Sequence, residues 1–146
     1  MFDIDTCLAY ITGYSAKKIN DAVNEFCLKK GITHVQWTAL YYVGKYENIS
    51  QKELANLMNL KPSSVARLID RMEKEEYLTR HRSLEDKRVF NLKLTNKGNN
   101  LREEMNPEAK KLSEIIRHGI SDEHIAIFKN VLNTMSENVS KEKKCE

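Results

Sequence analysis

The feature that most constrains this chain is the stretch from Lys61 to about Glu76, where polar and apolar residues separate onto two sides of one helical cylinder. At about 100° per residue, Val65, Leu68, Ile69 and Met72 share one face, and Ser64, Arg67, Arg71 and Lys74 share the opposite one. Pro62 opens the stretch at a position where its missing amide would have no intrahelical partner anyway. Such a helix must press one face into a core and leave a cationic face in water. Directly after it, Leu78 to Arg82 and Val89 to Leu94 read as two short strands joined by the charged loop Ser83 to Arg88. The second strand alternates, with Phe90, Leu92 and Leu94 expected to face inward.

The helices upstream are marked by their starts. Thr33 and Gln36 form a Thr-x-x-Gln capping box that opens an aromatic-rich helix through Trp37 to Tyr46. Ser50 and Glu53 repeat the device as Ser-x-x-Glu, opening a short helix expected to turn Leu54, Leu57 and Met58 inward and to stop at Asn59. Before them, Ile4, Leu8, Ile11, Ser15, Ile19, Ala22 and Phe26 keep mainly three- and four-residue spacing. That spacing predicts a long first helix ending near Lys30 and Gly31, weakly interrupted by Gly13. Downstream, Thr95 can cap a fifth helix carrying Leu101, Met105, Leu112 and either Ile115 or Ile116, with Pro107 expected to kink it and Gly119 to end it. Ser121 caps a sixth, in which Ile125, Phe128, Leu132, Met135 and Val139 trace the narrow seam of a coiled-coil-like contact. The charged tail from Lys141 to Glu146 is expected to fray.

A chain of 146 residues suits one domain with a sizeable core, and 40% hydrophobic and 31% charged residues with only five glycines and two prolines fit a helix-rich soluble protein and not a disordered one. The expected fold is therefore mainly α with a small β-hairpin wing. The element order leads to the expectation of a winged helix-turn-helix core over residues 33–95, with flanking helices at 1–32 and 96–146 expected to dimerise. No apolar run approaches the roughly 18 residues of a membrane span, and Met1 to Asp5 carries two acids and no basic cluster, which points to the cytoplasm. Cys7, Cys27 and Cys145 are odd in number and form no Cys-x-x-Cys pair, so neither a disulfide framework nor a cysteine-only zinc site is indicated.

The net charge is only +3, and Tyr77 to Lys93 alone carries an equal excess, with Arg80, Arg82, Lys87, Arg88 and Lys93 against Glu85 and Asp86. A local basic surface of this kind is expected where a protein meets phosphates. Bases in the major groove are read by a helix whose inner face is anchored and whose outer face offers donors and small polar groups, which Ser63, Ser64, Arg67 and Arg71 supply. The competing reading makes Arg67, Arg71 and Lys74 a solvated face paired with Asp70, Glu73 and Glu75. The basic hairpin tips the balance, because a wing can reach the neighbouring minor groove while the helix fills the major one. No phosphate-binding glycine loop, nucleophile elbow or metal-hydrolase pattern is present, so no enzyme is expected.

Asp86-Lys87-Arg88 followed five residues on by Leu94-Thr95, then Lys97-Gly98, resembles the wing signature of the bacterial MarR family. Gly31-Ile32-Thr33 with Gln36-Trp37, Ser50 to Ala55, and Ser64 to Glu73 are similar to that family in the same order, over roughly Gly31 to Gly98. The resemblance implies a ligand-responsive repressor, homodimeric on a palindromic operator of double-stranded DNA and needing no cofactor. It implies that Arg88 enters the minor groove while Asp86 holds its guanidinium, and that the fourth helix reads bases. By their chemistry alone, Lys87 and Arg88 are equal candidates for the tip contact. The full DNA-binding set is Ser50, Gln51, Pro62, Ser63, Ser64, Arg67, Arg71, Arg82, Asp86, Lys87 and Arg88.

In that family the first two helices flank a ligand cavity, which makes Tyr10, Tyr14, His34, Trp37 and Tyr41, with Tyr42 nearby, candidates for holding a small phenolic or amphipathic ligand, or else plain core. Cys7 shares a helix face with Tyr10 and Tyr14, so a thiol that senses oxidants is an alternative trigger, set against an inert small residue. His34, His81, His118 and His124 show no tight ligand spacing, and no metal site is expected. A second alternative is a winged-helix module that binds another protein and never touches DNA.

Overall fold

The structure is a computed structural model that describes residues 1–142. Residues 143–146, with Cys145 and the end of the charged tail, lie outside the described residues. In chain order the elements are a single 3₁₀ turn at Ile4–Thr6, then α1 (Leu8–Leu28), α2 (His34–Lys45), α3 (Gln51–Leu57), α4 (Pro62–Lys74), β1 (Leu78–Arg82), β2 (Phe90–Leu94), α5 (Asn96–Arg117) and α6 (Asp122–Glu142). The expected mainly helical fold with one antiparallel hairpin is what the chain forms. It divides into two compact units, Met1–Glu108 and the segment from Ala109 onward.

In the first unit both capping boxes form. Thr33 Oγ1 accepts from the Gln36 amide while the Gln36 side-chain oxygen accepts from the Thr33 amide, and Ser50 and Glu53 exchange the same pair of bonds. Each satisfies two amides that a helix start leaves without partners. Asn59, at φ 49°, turns the chain sharply between α3 and α4. The core gathers Cys27, Ile32, Leu40, Leu54, Val65, Ile69, Met72, Leu78, Leu92 and Met105, all essentially inaccessible to solvent. It draws on α1, α2, α3, α4, both strands and α5, so the apolar face of α4 is anchored on several elements.

Three expectations are corrected here. The first helix does not run from Ile4: Asp3 Oδ1 accepts from the Asp5 amide and closes a separate 3₁₀ turn, and an extended Cys7 then starts α1. Leu57 stays 42% exposed, because Leu54 and Ala55 together set the buried side of α3 and Leu57 projects well round the cylinder from their midpoint. Phe90 does not enter the core and is 41% exposed. It pairs with Arg82 at the far end of the hairpin, beyond the last core position on that strand, Leu92, and the Arg82 guanidinium covers its ring at 5.5 Å. The sequence also gave no sign of a third strand-like contact: the Leu92 amide donates to Ile49 O at 2.8 Å and Ser50 bridges Asn91, so the segment entering α3 is stitched to the wing.

In the second unit, Gly119 at φ 78° reverses the chain after α5, and Ser121 Oγ accepts from the His124 amide to cap α6. Ile125, Leu132 and Met135 are partly covered, whereas Ile115, Ile120, Phe128, Val131 and Val139 stand in solvent and no residue of α6 is buried. Pro107 lies within α5.

Gly98 has a steric reason to be glycine. A Cβ there would lie 2.0 Å from Tyr77 O, a backbone atom that also accepts from the Thr95 amide. Gly98→Ala is expected to cost about 1–3 kcal/mol of unfolding free energy by urea denaturation. Gly13→Ala, with nothing within 4 Å of its new methyl, should be neutral or gain up to about 1 kcal/mol.

Candidate nucleic-acid interface

The candidate surface is assembled by α3, α4 and the hairpin. Val65, Ile69 and Met72 are fully buried, which fixes the rotation of α4 and leaves Ser63, Ser64, Arg67, Arg71 and Lys74 in solvent. Pro62 occupies the first turn of α4. Ser50 hydrogen bonds, first from its hydroxyl and then from its amide, hold the Glu53 carboxyl below its ordinary range, so that side chain caps α3 as an anion. Ser50, Gln51, Lys52, Pro62, Arg88, Val89 and Phe90 line one groove of about 290 Å³. The starts of α3 and α4 thus face a common space with the wing arginine.

The wing loop is tied by its own backbone. Ser83 Oγ accepts the amides of Glu85 and Asp86, and the Ser83 amide donates to Val89 O at 2.9 Å. Asp86 Oδ1 accepts the Arg88 amide at 2.9 Å, while Asp86 O accepts the Val89 amide. The Asp86 carboxylate therefore shapes the turn and does not hold the Arg88 guanidinium, contrary to expectation, because a partner two residues on presents its amide first. Arg82 donates to Lys87 O and covers Phe90, which spends part of its reach inside the hairpin. Lys87 and Arg88 are exposed and form no ion pair among the described residues.

What the sequence reading missed is where the acids of α4 go. Arg80, on β1, reaches Asp70 Oδ1 at 2.5 Å and Glu73 Oε2 at 2.6 Å, and its backbone amide donates to Glu73 Oε1 at 3.1 Å. Burial pulls this guanidinium down, and its hydrogen bonds to Asp70 and Glu73 more than offset that, leaving it above its ordinary value. Gln36, only 5% exposed, donates to Glu75 Oε2 at 2.6 Å. The carboxylates that helix spacing sets beside the cations of α4, Asp70 near Arg67 and Lys74 and Glu75 near Arg71, are thus engaged from elsewhere in the fold, as is Glu73. Among the described residues those three cations form no ion pair. A signal for Arg80 was present, since Leu78 is buried and a side chain two positions on returns to the same face of a strand.

The candidate sensor residues fall into three ring pairs. Tyr10 stacks on Tyr14 at 6.2 Å, both exposed; His34 stacks on Trp37 at 6.3 Å, both half-buried; Tyr41 meets Tyr42 edge-on at 5.4 Å. Among the described residues no ring contact joins one pair to another. The His34 amide donates to Asn24 Oδ1, and Trp37 Nε1 is buried with no hydrogen-bond partner. Cys7 is half-buried at the start of α1, while Cys27 is buried and its thiol is pushed up by that burial.

The MarR family model matches residues 32–90, which hold α2, α3, α4 and β1 and reach the start of β2. The chain is 33% identical over 82 residues to the HTH-type transcriptional repressor MdtR of Bacillus subtilis, a match covering 56% of this chain and 53% of MdtR. The chain therefore spans about half the length of that relative. To the B. subtilis HTH-type transcriptional regulator YsmB it is 28% identical over 130 residues, 89% of this chain and 86% of YsmB. Over residues 32–90 the chain is similar to the MarR family. Solved structures with the same fold include the DNA complex of MepR from S. aureus, at TM-score 0.83 and 19% identity over 90% of this chain and 98% of that one. CouR from Rhodococcus jostii, bound to p-coumaroyl-CoA, aligns at TM-score 0.81 and 19% identity over 92% of this chain and 95% of that one. The MarR relatives are transcriptional regulators and not enzymes, in keeping with the sequence.

Burial holds the His34 imidazole below its ordinary value. Its unfolded form takes up a proton near pH 6.5, so the stability of the neutral folded form is present above that pH and is lost as pH falls below it. The urea midpoint is expected to drop between pH 7.5 and 5.5, and His34→Gln should make that drop shallower.

Proposed function

We propose that this chain is a MarR-type regulator that binds double-stranded DNA sequence-specifically, a repressor that sits as a homodimer on a palindromic operator and is released by a small ligand. The observation that carries it is the capture of Asp70, Glu73 and Glu75 by Arg80 and Gln36, which leaves Arg67, Arg71 and Lys74 unpaired beside an equally unpaired Lys87 and Arg88. Solvated charges on a helix ordinarily pair three or four residues away. Here the acids are withdrawn and the cations are left for an external anion.

In this reading Ser63, Ser64, Arg67 and Arg71 enter the major groove, and Lys87 or Arg88 enters the adjacent minor groove. Ser50, Gln51 and Pro62 lie against the intervening backbone, with Arg82 at the stem of the wing and Asp86 shaping its tip. Residues 33–95 form the DNA-binding region, and 1–32 with 96–146 form the dimer. The apolar side chains left in solvent in the second unit support that pairing, since a contiguous exposed apolar surface ordinarily marks an interface. A two-fold dimer also spaces two recognition helices by about one DNA turn, roughly 34 Å.

Tyr10, Tyr14, His34, Trp37 and Tyr41 are the residues proposed to meet the ligand. The unpartnered Trp37 Nε1 and the CouR complex support a small molecule with an aromatic part and an acceptor. The repressor named among the relatives supports repression, and a cytoplasmic site follows from contact with chromosomal DNA. Among the described residues no helix is long and apolar enough to cross a membrane.

An operator selected from a random DNA pool provides the test. Binding measured by fluorescence anisotropy should weaken steeply with salt, and Arg88→Ala or Arg71→Ala should each cost about tenfold with a salt slope shallower by about one. Unchanged affinity across salt, or in both variants, would leave a protein-interaction module as the better reading.

A further inference from the structure

Two cationic elements that must meet one duplex have to be held at a fixed angle, and a two-stranded hairpin is a poor way to hold anything. An isolated two-stranded ribbon is marginal in water, and the side chains buried on this one, Leu78, Leu92 and Leu94, leave its distal half outside the core. Arg80 sits between that anchored base and the loop, paired across the hairpin with Leu92. Its side chain is 20% exposed and spends its donors on α4: Asp70, Glu73 and, at 3.5 Å, the carbonyl of Ala66. Its backbone amide adds a further bond to Glu73. These contacts span residues 66–73, about two helical turns, so they fix both where the strand lies along α4 and how it is rolled against it.

From this geometry we infer that Arg80 is a positioning residue for DNA recognition: a clamp that locks the wing to α4 so that the minor-groove and major-groove cations engage one duplex together. The inference rests on the DNA-binding reading above and adds to it a residue that contacts no DNA. Arg80 was counted by charge among the basic residues of the wing, yet its guanidinium is committed to two carboxylates and has little left for a phosphate. The planar fork explains why arginine stands here, since it meets two separate carboxylates at once, whereas a lysine ammonium is a point charge on a flexible stem. The consequence for binding is one of effective concentration. Once α4 is seated, the wing contact is intramolecular, and its worth depends on how narrowly the wing is oriented.

A double-mutant cycle reads this coupling directly, where loss of stability alone would not. Operator affinity is measured for the wild type, Arg88→Ala, Arg80→Met, and the two together, with thermal melts of each. The clamp predicts that Arg88→Ala costs about tenfold in the wild type but less than about threefold once Arg80 is Met, because an unclamped wing has little contact left to lose. Arg80→Lys should fall between. The pair Asp70→Asn with Glu73→Gln opens the clamp from the helix side and keeps Arg80 charged; if Arg80→Met does not fold, the same collapse of the Arg88→Ala effect must appear in that background. Equal costs of Arg88→Ala with and without the clamp would overturn the inference and leave the DNA reading standing. No loss in Arg88→Ala would likewise overturn the inference alone, since the DNA reading also stands on Arg71→Ala, whereas no binding by the wild type would bring down both.

Discussion

Asp70 and Glu73 lie on α4, and Asp70, three residues from Arg67 and four from Lys74, would pair with those cations by helix geometry if nothing else reached it. Arg80 reaches both acids from β1 instead, with two charge-assisted bonds and a backbone amide in a partly buried setting, and wins over pairings that would be fully solvated. One contact across two elements therefore does two things. It joins the hairpin to the helix, and it strips the outer face of α4 of its counter-charges. The net charge of +3 gives little hint of this, because the cationic character is made by how charges are paired and not by how many there are.

That contact can act only if α4 and the hairpin are themselves held. Val65, Ile69 and Met72 fix the rotation of α4, and Leu78 and Leu92 fix the base of the hairpin in the same core. The Ile49 carbonyl takes the Leu92 amide, and Gly98 allows α5 to start against the Tyr77 carbonyl. At the far end of α4, Gln36 donates to Glu75 while its oxygen completes the cap of α2, so the start of α2, with His34 and Trp37, is hydrogen-bonded to the end of α4. The aromatic pair at the head of α2 and the basic helix are thereby parts of one bonded framework.

Much of this was legible in the sequence because it is local. Capping boxes at Thr33 and Ser50, the two faces of α4 and the alternation of Leu92 and Leu94 are each read within a few residues. The departures arise where the outcome depends on a neighbour remote in sequence or on where the core stops. Phe90 alternates correctly but lies past the edge of the core, Leu57 loses its place to Ala55, and Asp86 is taken by the nearer amide of Arg88. Ile49 and Arg80 make contacts 43 and 10 residues away along the chain, to Leu92 and Asp70, and no local pattern specifies either partner. The candidate DNA-binding residues could be proposed from the sequence because charge and amphipathic spacing are local patterns. The clamp beneath them was counted with the rest because a formal charge looks the same whether it is free or spent.

Footprinting one operator half-site with two reagents would test most directly whether α4 and the wing meet the same duplex. Dimethyl sulfate reports guanine N7 in the major groove, and hydroxyl radicals report sugars along the minor groove. Protection of N7 positions together with sugars about half a helical turn away, roughly 5 base pairs, is the expected pattern. Protection confined to one groove, or two protected tracts with no fixed spacing, would mean that the helix and the wing do not act on one DNA together.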